Sequence, residues 1–110
     1  MTISDNRYRL FAEIDQERKR QDKKWGEQNH SMVDPRISLN DIQLLEDKYK
    51  LINDRGQESW YTILMEEVCE AFSETDPANQ RAELVQVAAV VVQILEYLDK
   101  LKPDDYYRII

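Results

Sequence analysis

The chain has 110 residues, of which 42% are hydrophobic and 34% are charged, and its formal net charge is −7. This length suits one domain with a modest core, and a content of two glycines and three prolines favours helices over turn-rich β structure. Residues 58–105 contain eleven acidic and three basic residues, which argues against binding of a nucleic-acid duplex. Cations, or anions bridged by cations, are compatible with this charge.

The cysteine content and the hydropathy pattern indicate in which cellular compartment the protein is expected. The single cysteine, Cys69, excludes an internal disulfide, fits a reducing compartment, and is expected to be a small buried residue. The N-terminus lacks the charged-then-apolar pattern of a signal peptide. The longest apolar run, residues 87–95, is too short to span a bilayer. We therefore expect a soluble, cytoplasmic protein.

The first predicted helix runs from about residue 4 to residue 24, with Ser4 as its N-cap. Its apolar stripe consists of Leu10, Phe11 and Ile14. A polar loop follows, in which Trp25, Gln28 and Asn29 could bind a nucleotide base by stacking and edge hydrogen bonds. The alternative is that Trp25 only anchors this loop to the core.

The second predicted helix covers about residues 39–53, with Ser38 or Asn40 as its cap. Gly56 is a natural C-terminal stop. Apolar side chains recur at three- and four-residue steps, at Ile42, Leu45, Tyr49 and Ile52.

The third predicted helix covers about residues 58–74. A neighbouring face of the same helix carries Glu67 and Glu70. Its apolar face consists of Trp60, Leu64, Val68, Ala71 and Phe72.

The fourth predicted helix begins at Asp76-Pro77, an N-cap followed by a first-position proline, and reaches about residue 101. Residues 84–95 are apolar nearly all round, and a helix without a polar face must be covered on all sides. Four short helices offer little cover, so we expect a second subunit to supply the rest. The tail, residues 104–110, is expected to dock on the body or on a partner.

Two pairs of oxygen-bearing side chains occur at helical spacing on the third and fourth helices. Residues three apart lie on the same side of a helix, so Glu67 pairs with Glu70, and Glu83 pairs with Gln86. If the two helices fold back antiparallel, these pairs can face each other. Converging carboxylates repel one another, and a hard divalent cation is the simplest remedy. The spacing therefore predicts a metal site.

The same segment resembles the MazG-like, all-α nucleoside triphosphate pyrophosphatases. Their signature is E-E-x-x-E, a spacer and E-x-x-D, and this chain has Glu66-Glu67-x-x-Glu70, twelve residues, then Glu83-x-x-Gln86. The resemblance extends over residues 60–98, and residues 20–28 are similar to a short subgroup found in bacteria and phages. It implies an all-α fold, a four-helix, up-down, bundle-like protomer in a single domain, completed by pairing into a dimer or tetramer.

The resemblance also implies an activity, the cleavage of a nucleoside triphosphate between its α- and β-phosphates to give the monophosphate and pyrophosphate. The oxygen-bearing side chains of the motif would bind Mg²⁺, or alternatively Mn²⁺. Glu66 could position the attacking water or accept its proton, and Lys24 or Arg81 could meet phosphate charge. Carried over to this chain, the metal ligands are Glu67, Glu70, Glu83 and the position of Gln86.

Gln86 departs from the family pattern, which has an aspartate at this position. Its amide oxygen can coordinate Mg²⁺ but brings no negative charge, so metal affinity should fall unless another acid, such as Glu66 or Glu96, compensates. Two alternatives follow. The protein could bind or sequester nucleotides with weakened or absent turnover, or it could be a helical dimerisation module whose acids lie only on the surface.

Overall fold

The structure, a computed structural model, describes residues 2–102, 104 and 105. Within this part of the chain there are four α-helices and no β-strand. The all-α prediction is confirmed, and each helix begins and ends within two residues of its expected bounds. The helices are α1 (Asp5–Trp25), α2 (Leu39–Asp54), α3 (Trp60–Ser73) and α4 (Pro77–Lys100).

Serine caps fix the first turns of three helices. The Ser4 hydroxyl accepts a hydrogen bond from the backbone N–H of Arg7 at the start of α1. At α2 the cap is Ser38, and at α3 it is Ser59; each belongs to a reciprocal capping box. Because these bonds satisfy backbone N–H groups that have no partner inside the helix, they set where each helix begins.

The chain divides into two compact units. The terminal unit contains the described residues of Met1–His30 and Leu95–Ile110, and therefore α1 and the end of α4. Among the described residues of this unit, Leu10 is the buried apolar one, only 4% exposed. In the same unit the guanidinium of Arg7 lies 3.3 Å from a carboxylate oxygen of Glu96.

The central unit, Ser31–Ile94, contains α2, α3 and most of α4. Here α2 packs against α3, and the buried residues are Thr62, Cys69 and Ala71. Burial of Cys69 agrees with the expectation from sequence. The side-chain amide of Gln80 donates to the backbone carbonyl of Ala71 at 3.2 Å, which ties the first turns of α4 to the end of α3.

The covered face of α2 differs in one respect from the predicted apolar stripe. Leu45 is 44% exposed, whereas Glu46 is half-buried. Ile42, Tyr49 and Ile52 are half-buried as expected. The inward face thus includes a carboxylate, which a search for apolar periodicity does not detect.

No residue of α4 is buried, although α4 carries the longest apolar run of the chain. Val85 is 56% exposed and Val91 is 38% exposed. The single chain therefore leaves α4 without the cover that its composition requires.

Among the described residues, no helix is both long and apolar enough to cross a membrane. The predicted docking of the tail concerns residues that, apart from Asp104 and Asp105, lie outside the described part of the chain.

Candidate metal centre

The candidate centre is built from one face of α3 and the second turn of α4. Glu67 and Glu70 are one turn apart on α3 and point to the same side, as their spacing requires. Glu83 comes from α4, whose first turn is capped by the Asp76 carboxylate, which accepts a hydrogen bond from the N–H of Asn79 at 3.0 Å. The Gln80–Ala71 bond holds this end of α4 to α3.

One carboxylate oxygen from each of Glu67, Glu70 and Glu83 lies within 4.8 Å of the other two, and all three residues are half-buried. The structure thus brings together three of the four ligand positions expected from sequence, and we call Glu67, Glu70 and Glu83 the acidic cluster. At this separation and an effective dielectric constant of about 20, two ionised carboxylates repel by about 3 kcal/mol, and by less where solvent screens them.

Two oxygens of the acidic cluster are buried without a hydrogen-bond partner, Glu67 Oε2 and Glu83 Oε2. Buried polar atoms in folded proteins nearly always have a partner, and a bound ion is one recognised explanation when no protein donor is present. No Lys, Arg or His pairs with the cluster among the described residues. A donor set made only of oxygen suits a hard cation such as Mg²⁺, so the residues fit that ion.

The electrostatics of the acidic cluster follow from burial and like charge. Burial raises the pKa of Glu67 first, and the charges of Glu83, Glu66 and Glu46 raise it further. Burial also raises the pKa of Glu70, to which Glu83, Glu67, Glu46 and Glu66 add. Because every neighbouring charge is negative, a bound cation would reverse the sign of the local field.

Glu46 is a member of this environment that the sequence analysis missed. It lies on α2, and its charge acts on two members of the cluster and on Cys69, whose pKa is raised by burial and then by Glu46. The spacing of Glu46 could have predicted that it faces inward. It follows Ile42 by four residues and precedes Tyr49 by three, and both of these lie on the face that α2 turns inward.

The remaining acidic and amide positions of the motif have different surroundings. Glu66 is half-buried, and its carboxylate accepts a hydrogen bond from the side-chain amide of Asn53 at 3.4 Å. Gln86 is exposed one turn after Glu83. Glu96, named above as a possible compensating acid, belongs to the terminal unit and pairs there with Arg7.

The predicted base-binding residues lie in the terminal unit. Trp25 and Gln28 line a groove of about 750 Å³ together with His30. Trp25 is 53% exposed, so it is not an anchor buried in a core. The Lys24 ammonium lies 4.9 Å from the centre of the Trp25 ring, a cation–π contact.

The two other predicted substrate contacts lie outside this groove. Asn29 is exposed and is not among the residues that line it. Arg81 is exposed on α4 in the central unit, which also contains the acidic cluster.

Comparison of the chain with models of protein families, with curated proteins and with solved structures found no match.

Proposed function

We propose that the protein is a Mg²⁺-dependent nucleoside triphosphate pyrophosphohydrolase. The observation that carries this proposal is the acidic cluster, in which one carboxylate oxygen from each of three glutamates lies within 4.8 Å of the other two, and in which Glu67 Oε2 and Glu83 Oε2 are buried without a hydrogen-bond partner. The spacing of these acids, Glu66-Glu67-x-x-Glu70 and Glu83-x-x-Gln86, supplies the link to triphosphate hydrolysis through the resemblance described above.

The proposal gives each acidic side chain a role. Glu67, Glu70 and Glu83 hold the cation, and Mn²⁺ could replace Mg²⁺ because it prefers the same oxygen ligands. When bound, the ion would neutralise phosphate oxygens and lower the pKa of a coordinated water. Glu66, whose carboxylate accepts a hydrogen bond from Asn53, would orient the attacking water or accept its proton.

The proposed substrate contacts divide into base and phosphate contacts. The residues expected from sequence to bind the base, Trp25, Gln28 and Asn29, belong to the terminal unit together with Lys24, and their part in substrate binding stays a prediction. Arg81, an exposed cation of the central unit, would meet the negative charge of the phosphates.

We further propose that two copies of the chain pair through α4. Complete burial of a valine or leucine side chain contributes about 1.5–3 kcal/mol, and Val85 and Val91 forgo much of this in the single chain because they are 56% and 38% exposed. A second copy offers the same apolar face, as a two-fold interface requires.

Incubation of the purified protein with a panel of nucleoside triphosphates and Mg²⁺, followed by detection of pyrophosphate, tests the proposed activity. We expect release of pyrophosphate and monophosphate with at least one triphosphate, and loss of release when EDTA is added or when Glu67 is replaced in Glu67→Gln. The matched control is Glu13→Gln, which makes the same chemical change at an exposed position of α1.

Two other outcomes would contradict the proposed activity. A thermal shift with nucleotide or Mg²⁺, but without pyrophosphate, would identify a nucleotide-binding protein without turnover. The exposed, uncharged Gln86 favours this second candidate, since it leaves the motif one negative charge short. The absence of any response to metal or nucleotide would instead indicate a helical interaction module.

A further inference from the structure

Glu46 is the one acid of α2 whose charge acts on the acidic cluster. Its side chain is half-buried, and its Oε1 lies 3.0 Å from the hydroxyl oxygen of Ser73 on α3. Its oxygens do not belong to the set that converges within 4.8 Å. Glu46 therefore faces the cluster from a third helix, outside the innermost group of oxygens.

A hydrogen bond from α3 orients the Glu46 carboxylate. The Ser73 hydroxyl lies 3.0 Å from Glu46 Oε1, to which it can donate, and 3.1 Å from the backbone carbonyl oxygen of Glu70. Ser73 follows Glu70 by three residues on the same face of α3. The contact therefore fixes the α2 carboxylate next to the turn of α3 that carries Glu70.

The two other acids that could compensate for Gln86, Glu66 and Glu96, belong to α3 and α4 themselves. Glu66 accepts a hydrogen bond from Asn53, and Glu96 pairs with Arg7 in the terminal unit. Gln86 itself is neutral and exposed. Among these acids only Glu46 comes from an element other than α3 and α4 and also faces the cluster.

We propose that Glu46 is the fourth acid of the cation site and supplies from α2 the negative charge that Gln86 does not supply from α4. This inference rests on the proposed function, because it requires that the acidic cluster binds a cation. Glu46 is a positioning residue, which acts through its negative charge beside Glu67 and Glu70 rather than as one of the three converging ligands. Groups around a metal that act beyond its direct ligands commonly change its affinity by about 10–100-fold.

Calorimetric titration of the metal-free, full-length protein with Mn²⁺ tests this inference. We expect Glu46→Gln to weaken Mn²⁺ binding about tenfold, and Glu46→Asp, which keeps the charge, to restore part of the affinity. The matched control is Asp47→Asn, which removes one charge from the adjacent, exposed position of α2 and should leave the affinity unchanged. Ser73→Ala keeps the charge but removes its orienting hydroxyl, so its loss should be smaller than that of Glu46→Gln.

Thermal unfolding in EDTA separates the positioning role from a merely structural one. If Glu46 serves the cation, Glu46→Gln relieves repulsion when no metal is present, so its melting temperature in EDTA should equal or exceed that of the unchanged protein. A lower melting temperature in EDTA, or unfolding of the variant, would show that the Glu46–Ser73 bond serves the fold and would overturn the inference.

The proposed function and this inference fail in different ways. Binding of Mn²⁺ to Glu46→Gln as tightly as to the unchanged protein would overturn the inference and leave the cation site in place. Absence of Mn²⁺ binding to the unchanged protein would overturn both.

Discussion

At the scale of single residues, the acidic cluster combines burial with like charge. After burial, the charge of Glu83 does most to raise the pKa of both Glu67 and Glu70. Glu83 is also the member that α4 contributes, whereas the other two share a turn of α3. The repulsion between the two helices is thus concentrated at one side chain.

Replacement of Glu83 in Glu83→Gln should have opposite effects with and without metal. In EDTA the free energy of unfolding should rise, because the variant removes repulsion from Glu67 and Glu70. With Mg²⁺ present, affinity should fall by about tenfold or more, because an anionic ligand is lost. Urea unfolding in EDTA and calorimetric titration with Mg²⁺ measure the two effects, with Glu13→Gln as the control. A destabilised variant in EDTA would contradict the repulsion argument.

The raised pKa values of Glu67 and Glu70 predict how metal-free stability depends on pH. Because these pKa values are raised, the carboxyl groups of Glu67 and Glu70 bind their protons more tightly in the folded protein than in the unfolded chain. The free energy of unfolding therefore decreases as these protons dissociate from the folded protein. The free energy of unfolding should therefore fall as pH rises from the ordinary glutamate pKa of about 4.3 through the raised pKa values, and their contribution should be constant above these. Urea unfolding in EDTA between pH 4 and 8 measures this.

The double variant Glu67→Gln, Glu70→Gln is the control for that pH dependence. Glu17 and Asp34 have lowered pKa values because Arg20 and Arg36 bond to their carboxylates, and they act in the opposite direction. Glu17 and Asp34 are present in both the unchanged protein and the double variant, so the difference between the two pH profiles isolates the contribution of Glu67 and Glu70. Parallel profiles would contradict the prediction.

At the scale of elements, the start of α3 determines where Glu67 and Glu70 lie. The Ser59 hydroxyl accepts from the N–H of Thr62 at 3.1 Å, and the Thr62 hydroxyl accepts from the N–H of Ser59 at 2.8 Å. The Thr62 hydroxyl also lies 2.8 Å from the carbonyl oxygen of the Asn53 side chain, which connects this cap to the end of α2. The cap therefore fixes the first turn of α3 and links this turn to the end of α2.

Removal of this cap by Ser59→Ala should lower the free energy of unfolding by about 1 kcal/mol. Ser59→Asp is the matched comparison, because aspartate keeps a capping oxygen and places negative charge at the positive end of the helix dipole. Urea unfolding of the three proteins at pH 7 measures the difference. If Ser59→Ala were as stable as the unchanged protein, the hydrogen bond from the Ser59 N–H to the Thr62 hydroxyl would be sufficient to hold the start of α3, and the prediction would be wrong.

At the scale of the whole molecule, the exposure of α4 is the feature that the single chain leaves unexplained. Its apolar run contains no buried residue. Large exposed apolar patches on globular proteins mark sites of association. This agrees with the proposed pairing of two copies, because Glu83 of the acidic cluster and the exposed Val85 lie on nearly opposite sides of α4.

Replacement of Val85 in Val85→Glu should break that pairing, because the variant places an unpaired charge in an apolar interface. Light scattering coupled to size exclusion should then show a mass near 13.1 kDa in place of the mass of a dimer or tetramer. Gln43→Glu adds the same charge at an exposed polar position of α2 and should leave the mass unchanged. A monomer mass for the unchanged protein would contradict the proposed pairing.

The helices and the three-membered core of the site were predictable from sequence. Ser4, Ser38 and Ser59 cap their helices through bonds to residues three positions ahead, and such bonds depend only on local sequence. The pairing of Glu67 with Glu70 follows from helical geometry alone. The prediction of the third acid depended on α4 folding back on α3, and in the structure Glu83 lies next to both.

What only the tertiary structure decided is which further side chains surround these three acids. The pattern around Leu45 predicted an apolar face, whereas packing of α2 on α3 turned Glu46 inward and left Leu45 exposed. The exposure of Gln86 was likewise not a property of its spacing from Glu83. Hydrogen bonds and helical periodicity connect residues that are close in sequence, so the sequence by itself determined the helices and the spacing of their acids. The angle and depth at which distant helices pack depend on the shapes of all their contacting side chains, and no local pattern specifies them.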